Sequence, residues 1–132
     1  MRVFVYGTLL PGCRNHERWA APHLISCEPA RARGELYHLP AGYPAVVEGG
    51  GWVRGCLLEL PDHVLADLDE LEAFDPSAPM EENEYYRREI TATLSNGSAC
   101  PAWIYFMTPE RVQAMRGARI PSGNWPGAGQ EP

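Results

Sequence analysis

Apolar and polar residues alternate in several short stretches of this chain, and a period of two predicts strands. Arg2 to Tyr6 is rich in branched and aromatic residues, and Gly7 ends it with a turn that runs through Pro11-Gly12. Arg31 to Tyr37, Tyr43 to Glu48 and Trp52 to Leu60 are the next strand-like stretches, the last closed by Pro61. Tyr85 to Leu94 then reaches Asn96-Gly97, a pair that accepts the positive φ of a tight hairpin turn. Its predicted partner is Cys100 to Met107, whose Trp103, Ile104, Tyr105 and Phe106 suit a half-buried pleated surface.

Helical spacing is rarer. A short helix is expected from about Asn15 to Ala21, between a capping Asn and the helix-breaking Pro22. The clearest helix covers Asp62 to about Phe74, with Asp62 as N-cap, leucines at 65, 68 and 71, and Pro76 blocking extension. The last runs from about Pro109 to Arg116, with Thr108 as N-cap and Pro109 in the first turn. Pro76 to Glu84 has no period and reads as a loop. About six strands and two or three short helices do not alternate as parallel βαβ units would. The expected class is α+β, a small, mostly antiparallel β-barrel with short helices packed outside, which hides the strand edges. Residues 1–119 are expected to form one domain and 120–132 a coil tail.

Composition agrees with one domain. A chain of 132 residues, 45% hydrophobic and 21% charged, can enclose one core without disulfides. Gly7 and Pro11 interrupt the N-terminal apolar stretch before a signal peptide could form, and nothing approaches a membrane span. Cys13, Cys27, Cys56 and Cys100 contain no C-x-x-C pair, so reduced thiols in the cytoplasm are expected. A net charge of -6 argues against nucleic acid or anionic lipid as partner. All 11 basic residues are Arg, scattered along the chain, which composition bias explains as well as anion binding does. His16, His23, His38 and His63 share no metal-ligand spacing, so no metal site is expected. No serine lies in a G-x-S-x-G elbow and no cysteine in a nucleophile motif.

Two features could carry chemistry. Tyr6-Gly7-Thr8-Leu9 follows a strand, and glycine there allows successive N–H groups to point outward as a nest for a carboxylate or carbonyl oxygen. On its own such a turn more often serves geometry alone. Glu72 is the second. At 100° per residue from Leu65, Leu71, Val64 and Leu68 fall at about 240°, 260° and 300°, and Glu72 at about 340°. Glu72 thus lies in the apolar arc, Asp67 at about 200° and Glu70 at about 140° lie outside it, and Asp69 at about 40° sits just beyond its edge. Nine acidic residues and no Lys or Arg occur between Asp62 and Glu84. A carboxylate facing a core with no local cation should titrate above an ordinary Glu, in the range useful for acid–base catalysis. The alternatives are solvation at the helix end or an ion pair with distant Arg87 or Arg88. The Tyr85-Tyr86-Arg87-Arg88 run could hold an anion or stack on an aromatic ligand, or be a strand with alternating sides.

These motifs occur in a distinctive order. Val5-Tyr6-Gly7-Thr8-Leu9 is followed by Gly34-Glu35-Leu36-Tyr37, Gly42-Tyr43-Pro44-Ala45-Val46 and Val53-Arg54-Gly55-Cys56-Leu57. Leu68-Asp69-Glu70-Leu71-Glu72, Tyr86-Arg87-Arg88, Ala102-Trp103-Ile104-Tyr105 and Ser122-Gly123-Asn124-Trp125 complete the series. Across nearly its whole length the chain resembles the gamma-glutamylcyclotransferase-like family, including its gamma-glutamylamine cyclotransferase branch. The resemblance implies a cofactor-independent enzyme in which the α-amine of a small gamma-glutamyl substrate attacks its own γ-carbonyl, releasing 5-oxoproline and an amine. It implies substrate binding by Tyr6, Gly7, Thr8 and Leu9, proton transfer by Glu72, and Tyr105 as a pocket wall. Where the family commonly has Gly after the catalytic Glu, this chain has Ala73-Phe74, and its next loop is acidic, which bears on the acceptor side of the pocket. The alternative is a binding module that keeps the pocket without turnover.

Overall fold

The computed structural model describes residues 1–125. Its strands are β1 (Arg2–Val5), β2 (Ser26–His38), β3 (Pro44–Glu59), β4 (Tyr86–Leu94), β5 (Ala99–Phe106) and β6 (Ala118–Arg119), and its α-helices are α1 (Val64–Leu71) and α2 (Pro109–Ala114). The sheet order is β3-β1-β5-β4-β2-β6, and β2 also pairs with β3, so the first five strands close into a barrel with β6 on its outside. All pairings are antiparallel except β1 with β5, which meet in parallel at Val3 and Trp103. The expected α+β barrel is therefore the observed one. Closure satisfies the strand edges that an open sheet of this size would present to other chains.

The two strand-like stretches expected at Tyr43 to Glu48 and Trp52 to Leu60 are one strand, β3, continuous through Gly49, Gly50 and Gly51. It pairs with β2 from Ser26–Glu59 to His38–Pro44, and the register shifts between Arg33 and Glu35. Periodicity missed this continuity because three glycines carry no side chain to alternate. Gly55 shows why β3 and β1 can close. A Cβ at this position would lie 2.1 Å from the Val5 carbonyl oxygen, a distance only glycine avoids.

The helices are shorter than their patterns predicted. Asp62 does not cap α1; His63 occupies that position, and Asp62 instead holds the N-terminal ammonium of Met1 at 3.0 Å. Near Asn15 the chain makes a π-type turn over His16–Ala20 and a 3₁₀ turn over Ala21–His23 rather than an α-helix, and the Asn15 side chain binds Thr8 instead of capping. Thr108 does cap α2, its hydroxyl accepting the Arg111 N–H at 3.3 Å. Another 3₁₀ turn, Met80–Glu82, lies in the acidic loop.

Phe4, Leu36, Leu58, Val46, Val53 and Ile104 fill the barrel core, and α1 buries Val64 and Leu68 against it. Of the expected coil tail, residues 120–125 lie against the sheet. Ile120 donates its N–H to Leu36, Arg54 donates to the Gly123 carbonyl, and buried Trp125 donates its indole N–H to His38. Residues 126–132 of that tail lie outside the described residues. Among the described residues, no helix is long and apolar enough to cross a membrane.

Candidate functional site

β1 runs out of the barrel at Val5 and delivers Tyr6 and the following turn to one end of the sheet. The Tyr6 hydroxyl donates to the Tyr105 carbonyl at 2.6 Å, which ties the turn to β5. Leu10 donates its N–H to the Gly7 carbonyl and Asn15 to the Thr8 carbonyl, while Asn15 Nδ2 donates to Thr8 Oγ1 at 2.7 Å. Buried His16 adds a hydrogen bond from Nδ1 to the Leu9 carbonyl at 2.9 Å. The turn's carbonyls are thus used inside the protein, whereas the N–H groups of Thr8 and Leu9 donate to no backbone carbonyl among the described residues. Gly7 packs against the Pro44 ring so closely that a Cβ would lie 2.6 Å from Pro44 Cγ.

α1 ends beside this turn with a closed hydrogen-bond pattern. Phe74 donates its N–H to Asp69 and Ala73 to Glu70, the paired bonds of a Schellman cap. Ala73 occupies the left-handed position with φ +52°, where glycine is usual because it has no Cβ to strain. Glu72 is the C-cap of α1, one residue beyond Leu71 and just before that reversal, so the cap sets where its carboxylate projects.

Glu72, Tyr6, Gly7, Thr8, Leu9 and Tyr105, the residues expected from the sequence, all line one cleft of about 240 Å³. Among the described residues the Glu72 carboxylate makes no ion pair and no hydrogen bond. Although one edge meets the cleft, desolvation pushes its pKa up to about 7, and the nearby charge of Glu84 adds to the rise. Its own negative charge in turn helps to raise the phenol pKa values of Tyr6, Tyr43, Tyr85 and Tyr105, in each case behind desolvation as the larger cause. Burial, with the Glu84 charge behind it, therefore keeps the Glu72 carboxyl neutral at low pH and lets it release a proton near neutrality.

The ion pair considered for Glu72 goes elsewhere. Arg87 Nε and Nη2 donate to Asp69 Oδ1 and Oδ2 at 2.8 and 3.0 Å, a bidentate contact, and Arg88 lies 4.0 Å from Glu48. Tyr105 donates to the same Asp69 Oδ1 at 2.6 Å, which fixes a cleft residue to α1. The role of Asp69 was not foreseen; its position just beyond the apolar arc, three residues before Glu72, was the available signal.

Tyr43, Tyr85 and Glu84 were also not singled out as cleft residues. Tyr43 donates to Glu84 Oε1 at 2.7 Å, and Tyr85 donates to the Pro44 carbonyl at 2.7 Å, so these side chains form one braced wall. The Tyr85 to Arg88 run divides among separate tasks, since Tyr86 binds Glu48 through its hydroxyl and Arg87 binds Asp69. Among the described residues no group of three or more His, Cys, Asp or Glu side chains could hold a metal ion.

The Glu72 carboxylate and the backbone turn line one cleft at an end of the closed five-stranded barrel, a concave site that suits a small molecule. The family model "Gamma-glutamyl cyclotransferase, AIG2-like" matches residues 3–127, and the chain belongs to that family. A Vibrio cholerae protein provisionally named a gamma-glutamylcyclotransferase is 36% identical over 124 residues, which are 93% of each chain. Among solved structures, protein ytfP of Escherichia coli matches with TM-score 0.63 and 27% identity over 96% of both chains. YkqA of Bacillus subtilis matches with TM-score 0.66 and 29% identity over 94% of this chain, which spans only 39% of that longer protein.

Proposed function

We propose that this protein is a gamma-glutamyl cyclotransferase acting on a gamma-glutamyl amine or peptide. The observation that carries this reading is the unpaired carboxylate of Glu72, with a pKa near 7, in the same cleft as the Tyr6 to Leu9 turn. The turn's N–H groups would receive the α-carboxylate end of the substrate and hold its chain folded for ring closure. Glu72, as carboxylate, takes a proton from the substrate's α-ammonium. The freed nitrogen attacks the γ-carbonyl carbon, a new C–N bond closes the five-membered lactam, and the old C–N bond to the leaving amine breaks. Glu72 hands its proton to that amine, and the second proton, which the ring nitrogen sheds as the lactam forms, completes the departing ammonium. No electrons are exchanged and no water is consumed, so the step needs no cofactor. A shuttle of this kind is worth about 10² to 10⁴ in rate.

Tyr105, anchored by Asp69, forms part of the wall beside the reacting carbons. Cys13, Cys27, Cys56 and Cys100 are thiols rather than disulfides, which favours a reducing compartment such as the cytoplasm as the place where it acts. The test is to incubate the purified protein with a panel of gamma-glutamyl amines and peptides and measure 5-oxoproline. Product from the native protein and none from Glu72→Gln is the expected result. Binding without product would replace the enzyme by a binding module, and full activity in Glu72→Gln would remove Glu72 from the role.

A further inference from the structure

A second carboxylate in the cleft has no task in the chemistry above. Three charged side chains among the described residues line the cleft: Arg14, Glu72 and Glu84. A gamma-glutamyl head group brings one ammonium and one carboxylate, and Glu72 consumes the ammonium. Glu84 is left without a charge to match on that half of the substrate.

Its placement is built rather than accidental. Glu84 is half-buried, and Tyr43 holds its Oε1 at 2.7 Å, while Tyr85 braces the same wall through the Pro44 carbonyl. Oε2 makes no hydrogen bond and no ion pair among the described residues. No Lys or Arg occurs between Asp62 and Glu84 to neutralise it. Arg111 on α2 is near enough to act on Tyr43, but its Nη2 donates to the Glu81 carbonyl at 3.3 Å and it makes no ion pair with Glu84. A partly desolvated carboxylate at the edge of a cleft, in ion-pair contact with neither Arg14 nor Arg111 among the described residues, gains from a cation that a ligand supplies. The acidic loop that carries it, with Glu81 and Glu82, adds a field that favours a cation at this end.

We infer that Glu84, oriented by Tyr43, is a specificity-determining residue that selects substrates whose leaving amine carries a second positive charge, such as a diamine. This rests on the cyclotransferase reading and names the acceptor half of its substrate. A charged hydrogen bond made by one substrate and denied to its neutral isostere corresponds to about ten- to hundredfold discrimination.

The probes are the mono-gamma-glutamyl amide of 1,4-diaminobutane and that of n-pentylamine, which differ in a terminal ammonium against a terminal methyl. In the native protein kcat/KM for the diamine derivative is expected to exceed that for the pentylamine derivative at least tenfold. Glu84→Gln keeps an acceptor for Tyr43 and removes the charge, so the ratio should fall about tenfold or more, chiefly through KM for the diamine derivative. A native ratio near one, or a ratio unchanged in Glu84→Gln, overturns the inference. An equal loss on both substrates also overturns it, because Glu84 would then act only through Glu72. If neither compound yields 5-oxoproline, the cyclotransferase reading fails separately, and calorimetry with the same two compounds decides the selection. Preference for the diamine derivative that disappears in Glu84→Gln upholds it, and equal or absent binding overturns it.

Discussion

Tyr105 donates its hydroxyl hydrogen to Asp69 Oδ1 at 2.6 Å, and the same carboxylate grips Arg87 through two hydrogen bonds. Asp69 on α1 and Glu72 at its C-cap lie three residues apart, yet Arg87 goes to the first. Asp69 becomes a brace between α1 and the barrel, and Glu72 keeps a carboxylate that can move a proton. The Asp69 and Arg87 side chains are 14% and 16% exposed, so removing one strands the other away from most of its solvent. Asp69→Ala is therefore expected to destabilise the fold by about 2–4 kcal/mol. Arg88→Ala, which disturbs only a loose surface pair, should cost about 0.5 kcal/mol or less. Chemical denaturation of the two variants beside the native protein checks the contrast.

Ala73 tests the helix cap. It has φ +52° in a Schellman motif, a conformation that costs a residue with Cβ roughly 1 kcal/mol relative to glycine. Ala73→Gly is expected to raise stability by about 0.5 kcal/mol at most once the unfolded-state freedom of glycine, about 0.4–1 kcal/mol, is set against the strain relieved. Urea midpoints at constant slope would show this, and a lower midpoint would mean that glycine loosens the cap.

Glu72 links pH to both stability and rate. Its pKa rises from 4.5 to about 7 on folding, so the native state holds the proton more tightly between those values. Below pH 4.5 both states are protonated and folding bears no penalty from this group. As pH rises through 4.5 toward 7, the unfolded state ionises first and stability falls, reaching its full loss above about pH 7. Glu72→Gln removes the penalty, so its stability relative to the native protein should grow by an order of 2–3 kcal/mol between pH 4 and pH 8. A constant difference across that range would show that Glu72 titrates normally. For turnover the sign is opposite, since the carboxylate form accepts the first proton: kcat/KM should climb with pH and level off above about 7.

Gly7 is where turn and strand wall come closest. In Gly7→Ala the added methyl would meet Pro44 Cγ at 2.6 Å, so either the turn or β3 must shift. Overpacking of this kind costs about 1–3 kcal/mol. The same displacement should raise KM for gamma-glutamyl substrates more than Gly50→Ala does, because a Cβ at Gly50 meets nothing within 4 Å and no positive φ strains it there. Equal effects of the two substitutions on KM would separate the turn from substrate binding.

Local chemistry made part of this protein legible before any coordinates. The hairpin at Asn96-Gly97 and the Thr108 cap of α2 both rest on neighbours within a few residues, where backbone preferences act. The Tyr6 to Leu9 turn could be located in the same way, though its N–H groups acquire an orientation only when Tyr6 reaches Tyr105, 99 residues away. Three matters were decided by tertiary structure alone. Arg87 chose Asp69 over Glu72 across 18 residues, β1 entered between β3 and β5 with one parallel contact, and Tyr43 met Glu84 across 41 residues to build the second acidic wall. No repeat along a chain specifies which carboxylate a distant guanidinium will reach. That choice follows from closing the barrel, which sets the distance between strand β4 and helix α1 and so leaves Glu72, among the described residues, without a guanidinium partner.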